Sequence, residues 1–273
     1  MAGLMIAASA AAQHSVWLPE KDHIVITPSY VYQTFDHFWA GKDKVKMDGD
    51  MWQHTALLGF DYGITDDTAI DATVGWAWSE TDSATLGVAP GGHNLNDDGL
   101  TDTTFGIRQR FIDENDYNRW WIPSLAIRVG GIIKGTYDEN FPFSAGDGAS
   151  GVEASLLGGK AICPGFGIYG DIGYRYRDGH VPDDLFGSGG LYLAWKFLSA
   201  TVGYRFTQGL SGMDIGDPGF TFPKTKEISN NVEASIGFTD PGGRYYQAFV
   251  AHTFDGRNTG ERDIIGAAIS VTF

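Results

Sequence analysis

Asp263-Ile-Ile-Gly-Ala-Ala-Ile-Ser-Val-Thr-Phe273 is the stretch that decides how this chain is read. Taken alternately, Ile265, Ala267, Ile269, Val271 and Phe273 make one wholly apolar face. Gly266, Ala268, Ser270 and Thr272 make the other, which is small and increasingly polar. A two-residue period is that of a strand. A length of about 9–11 residues with an apolar face and a final aromatic fits the closing strand of an outer-membrane barrel. Val271 and Phe273 are then expected to act as the signal read by the barrel assembly machinery.

Composition is consistent with this. The 273 residues include 38 glycines, and aromatics make up 14 %. Mean hydropathy is −0.16. There is no run of 18 or more apolar residues, the length a helical span needs. A membrane barrel needs no such run, because each strand carries its lipid face in every second residue. The single cysteine, Cys163, excludes an internal disulfide framework and a multi-cysteine metal cluster. A net charge of −15 argues against nucleic acid, whose phosphates call for a basic surface. Near the start, Gly3 to Ala12 has an apolar core and then small residues fitting an A-x-A cleavage site before Gln13. Residues 1–12 are expected to be the end of a secretory signal that lacks its basic region, and 13–273 a single domain.

The same alternation recurs along the chain. Strands are expected at 23–35, 51–64, 68–80, 100–112, 120–135, 151–162, 166–177, 185–197, 200–207, 228–238, 245–254 and 263–273. This gives about twelve, an even number as bacterial barrels require. Residues 40–50 and 81–99 read as polar loops. Short connections at 65–67, 113–117, 163–165, 198–199 and 239–244 alternate with longer ones. A membrane barrel shows this asymmetry between periplasmic turns and extracellular loops. Trp39 and Trp78 near the outer strand ends, and Trp120, Trp121 and Trp195 near the inner ones, suggest two aromatic girdles. The fold class is therefore all-β: a transmembrane up-and-down antiparallel β-barrel in the bacterial outer membrane. Its expected surroundings are the lipid bilayer and lipopolysaccharide, and the expected state is a monomer.

Gly99-Leu-Thr-Asp-Thr-Thr-Phe-Gly-Ile-Arg-Gln-Arg-Phe111, Ile122 to Arg128, Gly167 to Tyr176 and Ala200 to Phe206 resemble an outer-membrane family, the MetA-pathway of phenol degradation. The usual Pro-Thr-Gly after the second motif is replaced here by Ile133-Lys-Gly-Thr136. The resemblance implies a transporter of small, often aromatic or apolar molecules and brings no catalytic residue with it.

Strand parity sends Arg108, Arg110, Arg128, Lys134, Arg175, Arg177, Lys196 and Arg205 into the lumen. Asp71, Asp102, Glu153, Asp171 and Glu233 go with them. Most other carboxylates, Asp183 and Asp184 among them, fall in the predicted outer loops. Two readings of this wall compete. An arginine-lined constriction favours anions, since rings of basic residues set anion selectivity. Neutralising Arg128 and Arg205 would then move selectivity toward cations. Alternatively the charges pair across neighbouring strands, Arg128 with Glu153 and Arg205 with Glu233, and leave little pore. The residues 13–22 are too few to suggest a plug, so an outer loop such as 81–99 or 209–226 is the segment expected to close the lumen.

The expected function is passive or facilitated diffusion of small molecules, aromatic or anionic. An alternative is a closed structural or adhesive barrel with acidic, cation- or ligand-binding loops. A rim hydrolase comes third: Ser229, Asn230, Asn231, His252 and Thr253, or Asp178, His180, Asp183 and Asp184, are its nearest candidates, and none forms a recognisable constellation. Asn94 to Gly99 resembles half a calcium loop, but Phe105 stands where a bidentate glutamate is needed. No cofactor is expected, and the scattered histidines have no zinc spacing.

Overall fold

A computed structural model describes residues 15–82, 96–117, 119 and 121–273. The expected signal segment, most of loop 81–99 and the aromatic Trp120 lie outside these residues. Thirteen strand segments follow one another: β1 (Ile24–Ala40), β2 (Asp43–Thr65), β3 (Thr68–Thr81), β4 (Asn96–Leu100), β5 (Thr103–Ile112), β6 (Ser124–Ile133), β7 (Gly151–Cys163), β8 (Phe166–Arg177), β9 (Asp184–Trp195), β10 (Leu198–Gly209), β11 (Ile228–Thr239), β12 (Tyr245–Arg257) and β13 (Asp263–Thr272). Because β4 and β5 both pair with β3, they are two pieces of one stave, and the barrel has twelve. Each stave pairs antiparallel with the next. The closing strand returns to the first, Val25 opposite Thr272 and Tyr30 opposite Ala267. The β1–β13 register skips Thr27 and Pro28. Proline has no N–H to give a ladder, and a side-chain bond of 2.9 Å between Thr27 Oγ1 and Ser270 Oγ crosses the gap.

The faces sort as alternation requires. Large apolar side chains stand outward and exposed on staves all around the barrel, among them Phe105, Ile107, Val129, Ile172, Val202, Ile236, Val250 and Ile265. A continuous apolar belt of this kind belongs against lipid rather than water. Inward residues are buried and often polar, including Thr27, Asp61, Asp71, Arg108, Arg128, Glu153 and Gln247. The transmembrane β-barrel read from the alternation is the fold that forms.

Three sequence expectations change. Residues 40–50 are not a loop: β1 and β2, at 17 and 23 residues, run far past the length a membrane needs and join at 41–42. Lys44-Val-Lys-Met47 alternates, but its polar face masks the strand. Above the wall this hairpin bends at a bulge between Phe35 and His37 and folds into an apolar cap. Phe35, Phe38, Met47 and Met51 pack there with Phe141 and Phe143 from the loop between β6 and β7. Trp39, assigned above to a girdle, is 7 % exposed within this hairpin, with Lys44 Nζ 5.7 Å from its ring centre. Trp78, Trp121 and Trp195 do stand exposed. The connection 113–123 carries a 3₁₀ turn at Glu114–Asp116 and is longer than the other inner turns. Cys163 is free and exposed beside its turn.

Candidate functional site

The lumen wall carries an alternating belt of charge that begins with two like-charged pairs in register. Asp61 on β2 stands opposite Asp71 on β3, and Arg108 on β5 opposite Arg128 on β6. Like charges facing each other destabilise a sheet, and the two pairs neutralise one another. Arg108 bonds Asp61 and lies 3.3 Å from Asp71, while Arg128 Nη2 is 2.7 Å from the other Asp71 oxygen. Arg128 also grips Glu153 on β7. Glu153 accepts from Arg175 Nε of β8 at 2.9 Å, and Arg175 reaches Asp184 of β9 at 3.6 Å. The belt thus runs over three guanidiniums and four carboxylates. Two glycines make room for it. A Cβ on Gly106 or on Gly130 would sit 2.8 Å from an Arg128 Nη atom.

The remaining predicted charges are placed individually. Arg110 lies at the inner rim with Asp67 and Asp113, at 3.0 and 2.9 Å. Arg205 and Glu233 pair at 3.1 Å on the far wall. Asp171 accepts from Ser188 Oγ. Arg177 stands at the outer end with Asp147 and, at 3.2 Å, Asp102. Asp102 breaks the β4–β5 stave because its carboxylate also takes Gly135 N at 3.1 Å and the Tyr137 hydroxyl. Burial first, and the Asp102 carboxylate second, push the Tyr137 hydroxyl far above its usual range, so it stays a donor. Two expected lumen bases are not in the lumen: Lys134 binds Glu139 in the outer loop, and Lys196 lies in an inner turn over Trp195. All six predicted arginines have carboxylate partners, and both specific pairs, Arg128–Glu153 and Arg205–Glu233, are present.

The short N-terminal segment does enter the barrel. Val16 is 1 % exposed and packs on Ala126 and Leu157. Trp17 meets Tyr192 edge-on at 5.2 Å, and the Ser15 carbonyl accepts from Arg108 Nη1 at 3.3 Å. The chain then reaches the inner rim, where Asp22 N donates to Gly63 O at 2.8 Å. Short length argues against a plug, but Val16 and Trp17 alone reach both the β6–β7 wall and Tyr192 of β9.

Two of the cavities among the described residues lie within the barrel, one above the other. The inner one, about 410 Å³, is walled by β8–β13 together with β1 and β2. Its exposed lining is mainly apolar, from Val16, Trp17, Val31, Leu57, Phe249 and Ile264. Its polar groups are the charged or amide side chains of Arg205, Arg262, Glu233, Asn231 and Gln247, together with hydroxyls such as Tyr169, Ser188 and Thr201. The outer one, about 330 Å³, lies under the cap and loop 210–227, among Phe35, Phe38, Phe141, Ile215, Phe222, Arg175 and Asp184. Thr207, Ser229 and Arg262 line both. The outer loops are tied at Asn258. Its Oδ1 accepts from Gly41 N at 2.8 Å and Ile215 N at 3.0 Å, and its Nδ2 donates to Lys226 O at 2.8 Å. Sequence reasoning missed Asp61, Arg262 and the inserted segment, and it placed Asp184 in a loop. Parity with Gly59 and Gly63 pointed Asp61 inward, and parity with Ile264 and Gly266 did the same for Arg262.

The barrel resembles solved outer-membrane proteins. The COG4313 outer membrane channel from Pseudomonas putida F1 superposes with a TM-score of 0.71 at 14 % identity, over 94 % of this chain and 97 % of that one. The translocator domain of the autotransporter NalP from Neisseria meningitidis gives 0.52 at 14 % identity, over 97 % and 92 %. The KdgM porin in complex with oligogalacturonate gives 0.50 at 8 % identity, over 90 % and 99 %. At such identities the likeness is one of fold. No family model and no curated protein sequence matches the chain.

Proposed function

We propose that this chain is an outer-membrane channel for small, predominantly apolar molecules. The observation that carries the reading is the mainly apolar inner cavity, which a closed barrel holds above a constricting N-terminal segment. Pockets of about 300–1,000 Å³ with an apolar lining and a few placed polar groups suit small organic ligands. The paired arginines weigh against a free anion pathway, because a guanidinium already held by carboxylates offers a passing anion little net field. Of the aromatic and anionic substrates the sequence suggested, the apolar and aromatic class fits better, in line with the phenol-degradation family resemblance. In this reading the chain is a monomer of the Gram-negative outer membrane. Lipopolysaccharide surrounds its outer rim, the assembly machinery reads Val271 and the outward Phe273, and no step is catalytic.

The test is single-channel recording of the refolded barrel in a planar bilayer under a salt gradient, with and without a dissolved monoaromatic such as toluene. Small steps of weak ion preference, reduced by the aromatic, are expected. Silence from a barrel shown to be folded, together with no binding of the aromatic, would instead establish a closed structural barrel.

A further inference from the structure

Arg262, at the entry to β13, lines both cavities and so stands between them. Its Nη2 donates to Glu227 Oε1 at 3.2 Å. That oxygen is shared, since Thr259 Oγ1 donates to it at 2.8 Å. The Nε of Arg262 is buried and has no acceptor among the described residues. A carboxylate binds a guanidinium best along an edge, two parallel N–H groups against two oxygens, and on Arg262 the Nε–Nη2 edge is half used. Arg205, the other guanidinium of the inner cavity, differs on this point. Glu233 takes both its Nε, at 3.1 Å, and its Nη2, at 3.4 Å. Of the two guanidiniums on the inner cavity, Arg262 is therefore the one whose Nε–Nη2 edge is only half used, and it stands beside the apolar side chains of that cavity.

We propose that Arg262 makes the channel selective for apolar monocarboxylates. The carboxylate engages the Nε–Nη2 edge in competition with Glu227, and the hydrocarbon body lies below among Leu57, Phe249 and Ile264. This deepens, and rests on, the reading of the inner cavity as the path for apolar solutes. A buried donor without an acceptor is unfavourable, and a ligand carboxylate relieves that. The polar group that a purely apolar tunnel would exclude thus becomes the one it recognises.

The experiment is equilibrium dialysis of 4-tert-butylbenzoate and its neutral isostere 4-tert-butylbenzamide at neutral pH against the full barrel in nanodiscs, with empty discs subtracted. The wild type should hold the carboxylate at least tenfold more tightly than the amide. Arg262→Gln should erase that preference while amide binding persists, which also shows that the variant is folded. Glu227→Gln, which frees the shared edge, should enlarge the preference. Equal binding of the two compounds by wild type, or a preference that survives Arg262→Gln or is reduced in a folded Glu227→Gln, overturns the assignment and leaves the apolar cavity standing. Binding of neither compound overturns the cavity reading as well.

Discussion

Arg108 and Arg128 face each other directly across β5 and β6, and Asp71 of β3 lies against both, 3.3 Å from one and 2.7 Å from the other. The carboxylate converts a repulsive register into a cross-link between three staves. It also explains why the arginines do not form an open ring. Their guanidiniums are drawn along the wall toward neighbouring staves.

Removing one partner strands the others. Arg128→Gln leaves Asp71 and Glu153 without their shared cation, and breaking a buried pair is destabilising by about 3–5 kcal/mol. The urea midpoint of the reconstituted barrel should fall accordingly. Arg128→Lys should recover only part of the loss, because a lysine cannot present two edges to two carboxylates. Full recovery would show that charge alone suffices.

Gly106→Ala tests the same site from its neighbour. The added methyl meets the Arg128 guanidinium at 2.8 Å, and overpacking of this kind costs about 1–3 kcal/mol. Unfolding of Gly106→Ala at the wild-type urea concentration would mean that the guanidinium has room to move aside.

Trimming the inserted segment should open the lumen. Val16→Ala combined with Trp17→Ala removes the side chains that pack on Leu157 and Tyr192. Single-channel conductance should rise severalfold with the barrel otherwise intact. Steps of unchanged size would place the constriction elsewhere, most simply in the outer cap.

Arg205 is the predicted lumen arginine least buried, its side chain 33 % exposed. Arg205→Gln leaves Glu233 uncompensated beside the inner cavity, and the reversal potential under a salt gradient should move toward cation preference. An unmoved potential would exclude this wall from the ion path.

The outer loops should loosen in acid. Asp214 binds Arg257, with Nε at 2.7 Å, and Asn258, and these bonds hold its carboxyl below the usual range. A lowered value means the tie is at full strength above the ordinary carboxylate pKa of about 3.9 and fades as pH falls through the folded one. Proteolytic cutting within 210–227 should increase only in strong acid. Asp214→Asn should show that susceptibility at neutral pH.

How much of this the sequence disclosed follows from what each residue interacts with. Ile265, Val202 and Phe105 face lipid, an environment that is the same all around the barrel, so a two-residue period was enough to place them. Arg128 with Glu153 and Arg205 with Glu233 were legible because consecutive staves are neighbours. Asp61 with Arg108 was not, because those residues meet across an intervening stave. Trp17 and Val16 lie in no repeating pattern, and their place depends on the shape of a lumen that forms only when the barrel does. Trp39 was misplaced because a tryptophan near a strand end reads alike whether it meets headgroups or an apolar cap.

The join between the first and last staves, with its missing rung at Pro28, also bears on how the molecule comes together. Each other pairing joins consecutive staves and can form as soon as its hairpin is delivered, whereas Val25 and Thr272 must find each other across nearly the whole chain. The closure entropy of so long a loop grows only as its logarithm, so distance is a modest obstacle. Until β13 arrives, the chain is a ribbon with two unpaired edges, open to the wrong partners. The final pairing of β1 with β13 is thus the one that removes both edges at once.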